Sequence, residues 1–393
     1  MLAMILALLG RESDISTAEL ESIYGANSIV ASNNIFALLD TDSVDIDMLG
    51  GTIKTAELVD ELPVNSDWAK TAKYITKNAL PGQVFGTEDT SKKRLGVSVY
   101  GKHVPKRNIT GLALELKKQY KKDGWSIGVV PNKDNELSSA QVLHNNLHTG
   151  DKGREIIVIY GDTKIYIGLT NGVQNIDAYS ARDYDRPHRD NQVGMLPPKL
   201  AQIIINLAVG SNTNSRIWDP FCGTGVLLQE ALLMGHDVLG SDISPRMVDY
   251  STKNLDWLSE KHTLPSWEVE KGDAREYTPS SPIHYVAAEL FLGAPQSNSP
   301  SSSELQSLLH ESKDLISEFL KNVHSYLPDD TRLCIAVPAW RVRNNFETAI
   351  TVDDLSKLGY NPVRFTHVDE TELIYARPDQ TTGRKLLVLT KQQ

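Results

Sequence analysis

The chain has 393 residues, of which 40% are hydrophobic and 23% charged, and its formal net charge is −10. This length allows two or three domains, and the composition is ordinary for a soluble globular protein. The two cysteines, Cys222 and Cys334, exclude a disulfide framework and a zinc-finger spacing, so we expect no metal and a cytoplasmic location. Residues 1–10 are apolar but lack a basic lead and a cleavage pattern, and no run is long enough to span a membrane. We therefore expect a buried first strand and no membrane partner.

The N-terminal residues 1–62 alternate between strand and helix patterns. After the first strand, residues 16–19 are typical of a helix start, residues 34–39 of a strand, and residues 55–62 of a short helix. This order predicts a small ferredoxin-like α+β domain.

Residues 63–172 predict a second α+β domain. Residues 95–101 alternate like a strand, residues 109–120 form an amphipathic helix pattern, and residues 125–130 fit another strand. A helix follows at residues 138–146, and a final hairpin turns at Gly161 and Asp162 between residues 155–160 and 164–168.

Basic residues are concentrated between positions 92 and 123. Ten lysines and arginines stand there against Glu115 and Asp123, a balance of +8 inside an acidic chain. A solvated helix face is the ordinary explanation of such a run. Because strand, loop and helix all contribute, we favour a phosphate-binding surface. The candidate RNA contacts are Lys102, Lys106, Arg107, Lys117, Lys118, Lys121 and Lys122.

A charged connector is predicted at residues 173–198. Acids and bases alternate from Arg182 to Asp190, so an exposed linker whose charges pair with one another is the alternative to a role in a site. Pro197 and Pro198 indicate the start of the next helix, because proline fits the first helical turn.

The most informative motif is WDPFCGTG at residues 218–225. An apolar run precedes it and an apolar helical pattern, residues 226–233, follows it, so we predict a strand, a glycine-rich turn and a helix. The next two predicted strands are followed by acids, Asp242 and Asp273. An acid at the end of the second strand of such a fold suits the hydroxyls of a ribose. Residues 223–228 read GTGVLL and lack the third glycine of the dinucleotide pattern, which makes NAD the weaker interpretation.

The fourth strand of this region is predicted at residues 284–288, and the residues Glu289 and Phe291 follow it. Residues 296–303 are rich in Ser, Asn and Pro and predict a loop beside the site. A helix at 305–326, a strand at 332–338 and a hairpin at 372–377 and 385–389, turning at 382–384, complete the chain.

The motif order resembles that of the class I S-adenosylmethionine-dependent methyltransferases. The resemblance implies an α/β fold with a mostly parallel seven-stranded sheet and a C-terminal antiparallel hairpin, at residues 199–393. It also implies S-adenosylmethionine as the cofactor, with the glycine turn at its methionine end, Asp242 at the ribose and Asp273 at the adenine. The cofactor-binding candidates are Asp190, Asp219, Pro220, Phe221, Cys222, Gly223, Gly225, Asp242, Ile243, Asp273 and Ala274.

Residues 63–172 resemble a THUMP domain, an RNA-binding module of tRNA-modifying enzymes, through GVSVYG at 96–101, VVP at 129–131 and LSSAQV at 137–142. With the stretch LPPKLA at 196–201, the chain is similar to the THUMP-containing tRNA guanosine-N2 methyltransferases. That family carries Asp-Pro-Pro-Tyr or Asn-Pro-Pro-Tyr after the fourth strand, and this chain does not. Glu289 stands in the place of the Asp or Asn, and Phe291 is a candidate stacking ring; a capping Glu and a core Phe are the alternative.

The function expected from this resemblance is methylation of an exocyclic guanine N2 amine, with tRNA as the partner and Glu289 and Phe291 as catalytic residues. Two alternatives stay open. One is a DNA amino-methyltransferase, and the other is a non-catalytic RNA-binding protein with a degenerate catalytic loop.

Overall fold

Two β-sheets organise the chain in the computed structural model, which describes residues 4–190, 195–292, 300–329, 331–343, 345–378 and 380–392. Each sheet belongs to one of two compact units. The first unit contains the chain up to Ser13, then Asn27–Asp47 and Thr52–Ala178. The second contains Asp14–Ala26, Met48–Gly51 and the chain from Tyr179 onward.

The first unit is built on an eight-stranded sheet in the order β2-β3-β1-β4-β8-β7-β5-β6. Its strands are β1 Met4–Leu9, β2 Ile29–Ser32, β3 Phe36–Asp40, β4 Thr52–Pro63, β5 Lys93–Tyr100, β6 Ile127–Val129, β7 Gly153–Tyr160 and β8 Lys164–Val173. Strand β5 runs parallel to β6 and β7, and the other neighbours are antiparallel. The predicted buried first strand is confirmed, since residues 5–9 are buried in this sheet.

The helix predicted at residues 55–62 is wrong. This segment belongs to β4, which pairs with β1 on one side and with β8 on the other. Strand β1 pairs with residues between 52 and 57 and strand β8 with residues between 54 and 63, and these pairings override the weak helical pattern. The predicted boundary between residues 62 and 63 therefore falls inside a strand, and the two predicted N-terminal domains share one sheet.

Six helices precede residue 190 in the part of the chain that the structure describes: α1 Ser13–Tyr24, α2 Trp68–Asn78, α3 Pro81–Phe85, α4 Lys106–Lys122, α5 Ser139–His144 and α6 Ile176–Tyr184. Asp67 caps α2 by accepting a bond from Lys70 N, and Ser138 and Gln141 form a capping box at α5. Helix α4 packs on β5 through Ile109, Leu112, Leu116 and Tyr120, which are spaced for one helical face.

Most of helix α1 belongs to the second unit although it directly follows the first strand. Its residue Glu19 is fully buried and accepts hydrogen bonds from Gly50 N, Gly51 N and Asn206 Nδ2 at 2.8–2.9 Å. Burial raises the pKa of Glu19 to about 7, although these donors oppose the rise. Residues 1–62 therefore do not form a contiguous domain.

The second unit has a nine-stranded sheet with the main order β11-β10-β9-β12-β13-β17-β15. Its strands are β9 Arg216–Asp219, β10 Asp237–Asp242, β11 Trp267–Lys271, β12 Tyr285–Glu289, β13 Arg332–Val342, β14 Asn345–Thr348, β15 Tyr360–Pro362, β16 Ile374–Tyr375 and β17 Thr382–Lys391. The first five along the path are parallel, and β17 is antiparallel to both β13 and β15. The predicted mostly parallel α/β sheet is confirmed, with β14 and β16 as short additions at its side.

Helices cover this sheet: α7 Pro198–Val209, α8 Val226–Leu233, α9 Pro245–Ser259, α10 Ser302–His324 and α11 Val352–Lys357. The helix start predicted at Pro197 and Pro198 is confirmed, because α7 begins at Pro198. The predicted C-terminal hairpin is only partly present, because β16 pairs with β17 at two positions, whereas β13 pairs with β17 at nine. Among the residues described, no helix is long and apolar enough to cross a membrane.

Candidate functional site

A pocket of about 450 Å³ lies in the second unit, at the edge where the parallel strands end. Ligands of open α/β sheets bind at this edge, because the strand ends and the following loops converge there. The pocket is lined by every catalytic and cofactor-binding candidate from the sequence except Gly225. The predicted residues it brings together are Asp190, Asp219, Pro220, Phe221, Cys222, Gly223, Asp242, Ile243, Asp273, Ala274, Glu289 and Phe291.

The glycine turn after β9 has two left-handed residues, Gly223 with φ +50° and Gly225 with φ +81°. A Cβ atom at Gly223 would come no closer to the surrounding protein than 3.9 Å from Phe221 O, so at this position the backbone lies open toward the pocket. A Cβ atom at Gly225 would lie 2.3 Å from Ser251 Oγ on α9. Gly225 thus lies outside the pocket lining, and it allows close packing where α8 begins.

Asp242 at the end of β10 is tied to the backbone around the glycine turn. Its Oδ2 accepts a bond from Gly223 N at 3.0 Å, and its Oδ1 accepts one from Ser244 N at 2.9 Å. Burial raises the pKa of this carboxyl above its ordinary value, although both amides oppose the rise. Each oxygen retains a second lone pair, so the carboxylate can still accept bonds from two hydroxyls.

Asp219 at the end of β9 is 2% exposed, and its Oδ1 accepts a bond from Phe221 N at 3.1 Å. Burial raises the pKa of Asp219 well above its ordinary value, and the charges of Asp242 and Glu289 add to the rise. Among the residues that the structure describes, neither Asp219 nor Asp242 forms an ion pair with a lysine, arginine or histidine. The pocket therefore holds one buried and one half-buried carboxyl group, and neither has a basic partner in the described part of the chain.

The third predicted acid, Asp273, is engaged by a side chain that the sequence analysis did not single out. Arg275 donates to both carboxylate oxygens of Asp273, at 2.6–3.1 Å from its Nε and Nη2 atoms. These bonds hold the pKa of Asp273 below its ordinary value. Arg275 also lies 3.6 Å from Glu318 on α10, so a ligand that binds Asp273 meets an arginine already in place.

Glu289 at the end of β12 forms an ion pair with Arg384 of β17. The arginine Nε donates to Glu289 Oε1, and the exposed fractions of the two side chains are 15% for Glu289 and 7% for Arg384. Burial raises the pKa of Glu289, and Arg384 opposes that rise. The sequence analysis missed Arg384, because residues 382–384 were assigned to a turn, whereas they lie in β17.

Phe291 lies two residues beyond β12 and is 56% exposed at the pocket. A core position, the alternative considered from the sequence, does not fit this exposure. The side chain presents an aromatic surface to solvent at the pocket rim, which is suited to stacking against a planar ring.

Two residues of α9, Arg246 and Asn254, form hydrogen bonds with the segment that precedes α7. Arg246 in the first turn of α9 bonds through its Nη2 to Asp190 Oδ2 at 2.9 Å. Asn254, which is fully buried on the same helix, donates to Thr224 O and His188 O and accepts from His188 N, at 2.9–3.0 Å. No local pattern signals either residue, since both depend on segments 30 or more positions away in sequence.

The segment from residue 176 to 190 is more buried than the exposed linker that was the alternative to a role in a site. It contains α6, and its residues Arg186 and Asp190 are 3% and 8% exposed. Some of its charges pair across the fold, as Arg182 does with Glu230 at 2.7 Å. Residues 191–194 and 293–299 lie outside the residues described, and the second range includes positions 296–299 of the loop predicted at residues 296–303. The last two positions of that predicted loop already belong to α10, which begins at Ser302.

The basic candidates of the first unit lie on α4 or in the turn before it. Six are exposed and Lys117 is half-buried; Lys102 lies over the Tyr160 ring, and Lys106 is 4.0 Å from Asp134. Lys93, counted in the basic run, is buried against Asp89 and cannot meet a phosphate. Helix α2, which packs against α4, adds the exposed residues Lys70, Lys73 and Lys77, which the sequence analysis did not include.

No group of three or more His, Cys, Asp or Glu residues that could hold a metal ion occurs among the residues that the structure describes. The two cysteines are free and buried.

Comparison with known proteins identifies the kind of domain that bears the pocket. Residues 186–368 match the family described as UPF0020, the RMKL-like methyltransferase domain. Among curated proteins, the chain is 35% identical over 155 residues to the tRNA (guanine(10)-N2)-dimethyltransferase of Methanothermobacter thermautotrophicus. The aligned region covers 39% of this chain and 42% of that protein. The chain is 29% identical over 207 residues to the enzyme of the same name from Pyrococcus abyssi, covering 51% of this chain and 55% of that protein. The chain thus matches about half the length of these relatives.

Solved structures extend the likeness to the whole chain. TrmN from Thermus thermophilus aligns with a TM-score of 0.54 at 15% identity, covering 99% of both chains. A possible methylase from Clostridium difficile 630 aligns with a TM-score of 0.52 at 13% identity, covering 100% of this chain and 98% of the other. At these identities the likeness concerns the fold, and it confirms the predicted class I methyltransferase architecture with an α+β region before it.

Proposed function

We propose that this chain is an S-adenosylmethionine-dependent RNA methyltransferase that modifies the N2 amine of a guanine in tRNA. The observation that carries the proposal is the pair of pocket carboxyl groups, the buried Asp219 and the half-buried Asp242, which have no basic partner among the described residues. Buried carboxylates without a counter-charge favour a cationic ligand. S-adenosylmethionine carries a sulfonium and an ammonium, whereas a dinucleotide would bring a pyrophosphate into the same place.

The residues of the pocket fit this cofactor. Gly223 leaves the room that the close approach of a ligand requires, and Asp242 retains acceptor positions for two ribose hydroxyls. Asp190, held by Arg246, and Asp273, held by Arg275, complete the polar lining. The proposal is supported by the methyltransferase family matched by residues 186–368.

When bound, S-adenosylmethionine supplies a methyl group whose bond to sulfur breaks, with both electrons kept by sulfur, as the amine nitrogen forms its new bond to carbon. Glu289 orients this nitrogen by accepting one of its hydrogens, and the proton that nitrogen must lose passes to Glu289 or to water. Phe291 stacks on the target base at the rim of the pocket. Because positioning supplies most of the rate of such a displacement, these two side chains act by holding the base in place.

The first unit supplies the RNA-binding surface in this proposal. Its exposed lysines and arginines on α2 and α4 form a positive face for phosphates, inside an otherwise acidic chain. We assign the first unit to one RNA-binding region with a THUMP-like part in residues 63–172, residues 173–198 to a connector, and residues 199–393, joined by residues 14–26 and 48–51, to the methyltransferase domain. The names of the curated relatives support tRNA as the RNA.

The test is methyl transfer from labelled S-adenosylmethionine to tRNA, followed by mass analysis of the nucleosides. We expect N2-methylated guanosine from the parent protein. The substitution Glu289→Ala should reduce the rate by about 10²–10⁴-fold, the range expected when an acid–base group is removed. Glu289→Gln should retain part of the activity, because an amide oxygen still accepts an amine hydrogen.

Phe291→Ala should weaken the reaction less than Glu289→Ala, by the roughly 1–3 kcal/mol that stacking of a base on an aromatic ring provides. Duplex DNA serves as the competing acceptor, and its methylation in preference to tRNA would contradict the proposal. A parent protein that binds the cofactor and modifies no RNA would instead indicate a binding protein.

A further inference from the structure

Glu289, the last residue of β12, is held differently here from the tetrapeptide of the similar family, in which two prolines stiffen the backbone. In this chain both prolines are absent. The backbone of Glu289 is instead paired with Ala336 of β13, and Leu290 N donates to Ala336 O at 2.9 Å. Leu290 itself is 1% exposed and anchors the segment in the core. These contacts hold the backbone, but they do not determine where the long Glu289 side chain lies.

Arg384 supplies the missing constraint on that side chain. Its backbone lies on β17 between two other strands, paired with Pro338 of β13 and with Tyr375 of β16. Its guanidinium is almost fully buried and donates from Nε to Glu289 Oε1. An arginine on a strand with neighbours on both sides is a rigid donor, and its planar group is well suited to a carboxylate.

The ion pair also sets the charge of the pocket wall. The charged groups that face Glu289 are Asp219 at the end of β9 and Arg384 on β17, while the neighbouring β13 residue is the uncharged Ala336. Without the arginine, the buried Asp219 carboxyl group and the half-buried Glu289 carboxyl group would repel one another with no opposite charge beside them, which favours uptake of a proton by one of them. A protonated Glu289 is a poor acceptor for an amine hydrogen.

We propose that Arg384 is a positioning residue, which binds Oε1 of Glu289 so that the ionised Oε2 is left to accept the hydrogen of an exocyclic amine. It takes the place of the rigidity that two prolines give the similar family. The inference rests on the proposed function for the identity of the amine, but not for the state of Glu289 itself.

The first experiment measures the pair without any methyl transfer. Burial already raises the pKa of Glu289 above its ordinary value, and Arg384→Gln removes the group that opposes this rise. When the pKa of a carboxyl group is raised on folding, the folded protein loses stability as pH rises from the pKa of the unfolded state through the pKa of the folded state. The melting temperature of Arg384→Gln should therefore fall further below the parent as pH rises from about 5 to about 8.

The second experiment measures methyl transfer to tRNA as a function of pH. In the Arg384→Gln variant the acidic limb of the kcat profile should move up by about 1–3 pH units, the usual effect of removing an opposite charge at contact distance. The KM for tRNA and the affinity for S-adenosylmethionine should stay near the parent values. Arg384→Lys, which keeps the charge but loses the planar fork, should lie between the two.

Two variants control for a purely structural effect. Lys391→Gln breaks an ion pair with Asp329 at the other end of the same strand, 3.0 Å long in the parent, and should leave the pH profile unchanged. In the double variant Glu289→Gln/Arg384→Gln no carboxylate remains to be oriented, so the second change should add little to the first. Removing both members of a buried pair is also better tolerated than removing one, which keeps the comparison available if Arg384→Gln alone does not fold.

A melting-temperature gap between parent and Arg384→Gln that is constant across pH would overturn the inference, because packing alone predicts that result. A kcat profile of Arg384→Gln parallel to the parent profile would overturn it as well. A parent that methylates no RNA, while the melting gap widens with pH as expected, would contradict the proposed function and leave the electrostatic role of Arg384 supported.

Discussion

A buried ion pair of the first unit contrasts with two carboxyl groups of the pocket in the second unit. In the first unit, Lys54 is 1% exposed and donates to Glu155, Tyr100 and Leu137 O at 2.7–3.0 Å. Glu155 in turn accepts from Lys54, Ser98 and Thr170, so both of its oxygens have protein donors. In the second unit, Asp219 and Asp242 are bonded to backbone amides, and no ion pair to a basic side chain is found for them among the described residues.

This difference in partners distinguishes charges that stabilise the fold from charges that are available to bind a ligand. A buried ion pair with every hydrogen bond satisfied depends on both partners and binds nothing further. Partly or fully desolvated carboxyl groups without counter-charges carry an unfavourable energy that a cationic ligand can relieve. On this basis we expect substitutions in the first set to affect unfolding, and those in the second set to affect cofactor binding.

The largest effect is expected for Glu155→Ala, which leaves the Lys54 ammonium buried without its partner. The free energy of unfolding of the first unit should fall by about 3–5 kcal/mol. Hydrogen exchange can resolve the units, and protection should be lost in β5, β7 and β8 but kept in β9 to β13. The control Lys54→Met/Glu155→Leu should recover most of the stability; a double variant as unstable as the single one would contradict a role for the pair in folding.

A smaller effect is expected for Asp242→Ala, in the affinity for S-adenosylmethionine. Without its charge-assisted bonds to the ligand, binding should weaken by about 1–3 kcal/mol, measured by calorimetry. The isosteric Asp242→Asn keeps an acceptor for the backbone amides, so its unfolding free energy should change far less than that of Glu155→Ala. Unchanged affinity in both variants would remove Asp242 from the site.

The pH dependence of Asp219→Asn sharpens the same contrast. The pKa of Asp219 is raised by burial and by the nearby carboxylates, so the folded parent loses stability as pH rises from the ordinary aspartate range toward that raised value. An asparagine keeps the acceptor for Phe221 N but does not ionise. Its melting temperature should equal or exceed that of the parent at pH 8, with the advantage shrinking toward pH 4.

Addition of S-adenosylmethionine should reduce the advantage of Asp219→Asn at pH 8, because a cationic ligand stabilises the ionised parent selectively. An advantage that is equal with and without the cofactor would show that no cation meets this carboxylate.

The smallest effect on stability is expected at the exposed basic face. Changing Lys117, Lys118, Lys121 and Lys122 to Glu should alter the free energy of unfolding by less than about 0.5 kcal/mol for each residue, as surface substitutions usually do. The affinity for S-adenosylmethionine should stay unchanged. Binding of tRNA should weaken, and its salt dependence should flatten by about one unit of slope for each phosphate that the protein no longer binds.

A matched comparison uses Lys121→Glu/Lys122→Glu against Lys261→Glu/Lys357→Glu, two exposed lysines of the second unit. An equal weakening of tRNA binding in the two double variants would indicate that only the net charge of the protein matters. An unchanged salt dependence in Lys121→Glu/Lys122→Glu would indicate that these lysines form a solvated face that does not contact phosphates.

Much of the candidate site followed from local sequence. The glycine turn, Asp242, Asp273 and Glu289 each come where an apolar strand pattern ends, and parallel strands place such ends at one edge of the sheet. The α/β class and the main helices α4, α7 and α10 followed from periodicity, because each buries one face against a sheet.

Other features depended on partners that are distant in sequence. Residues 55–62 carry a pattern that fits helix or strand, and only pairing with β1 and β8 selects the strand. Helix α1 joins the second unit because Glu19 meets Gly50, Gly51 and Asn206 there, a set spread over nearly 190 positions.

The sequence by itself determined that the glycine turn and the acids at the strand ends reach the pocket, since the end of each strand shows in its own local pattern. Only the tertiary structure decided how those side chains are charged and held. Arg384 lies 95 positions from Glu289, and Arg246 lies 56 positions from Asp190. The physical reason is that desolvation and ion pairing depend on what surrounds a group in space, and strand β17 and helix α9 enter that space only when the sheet has formed.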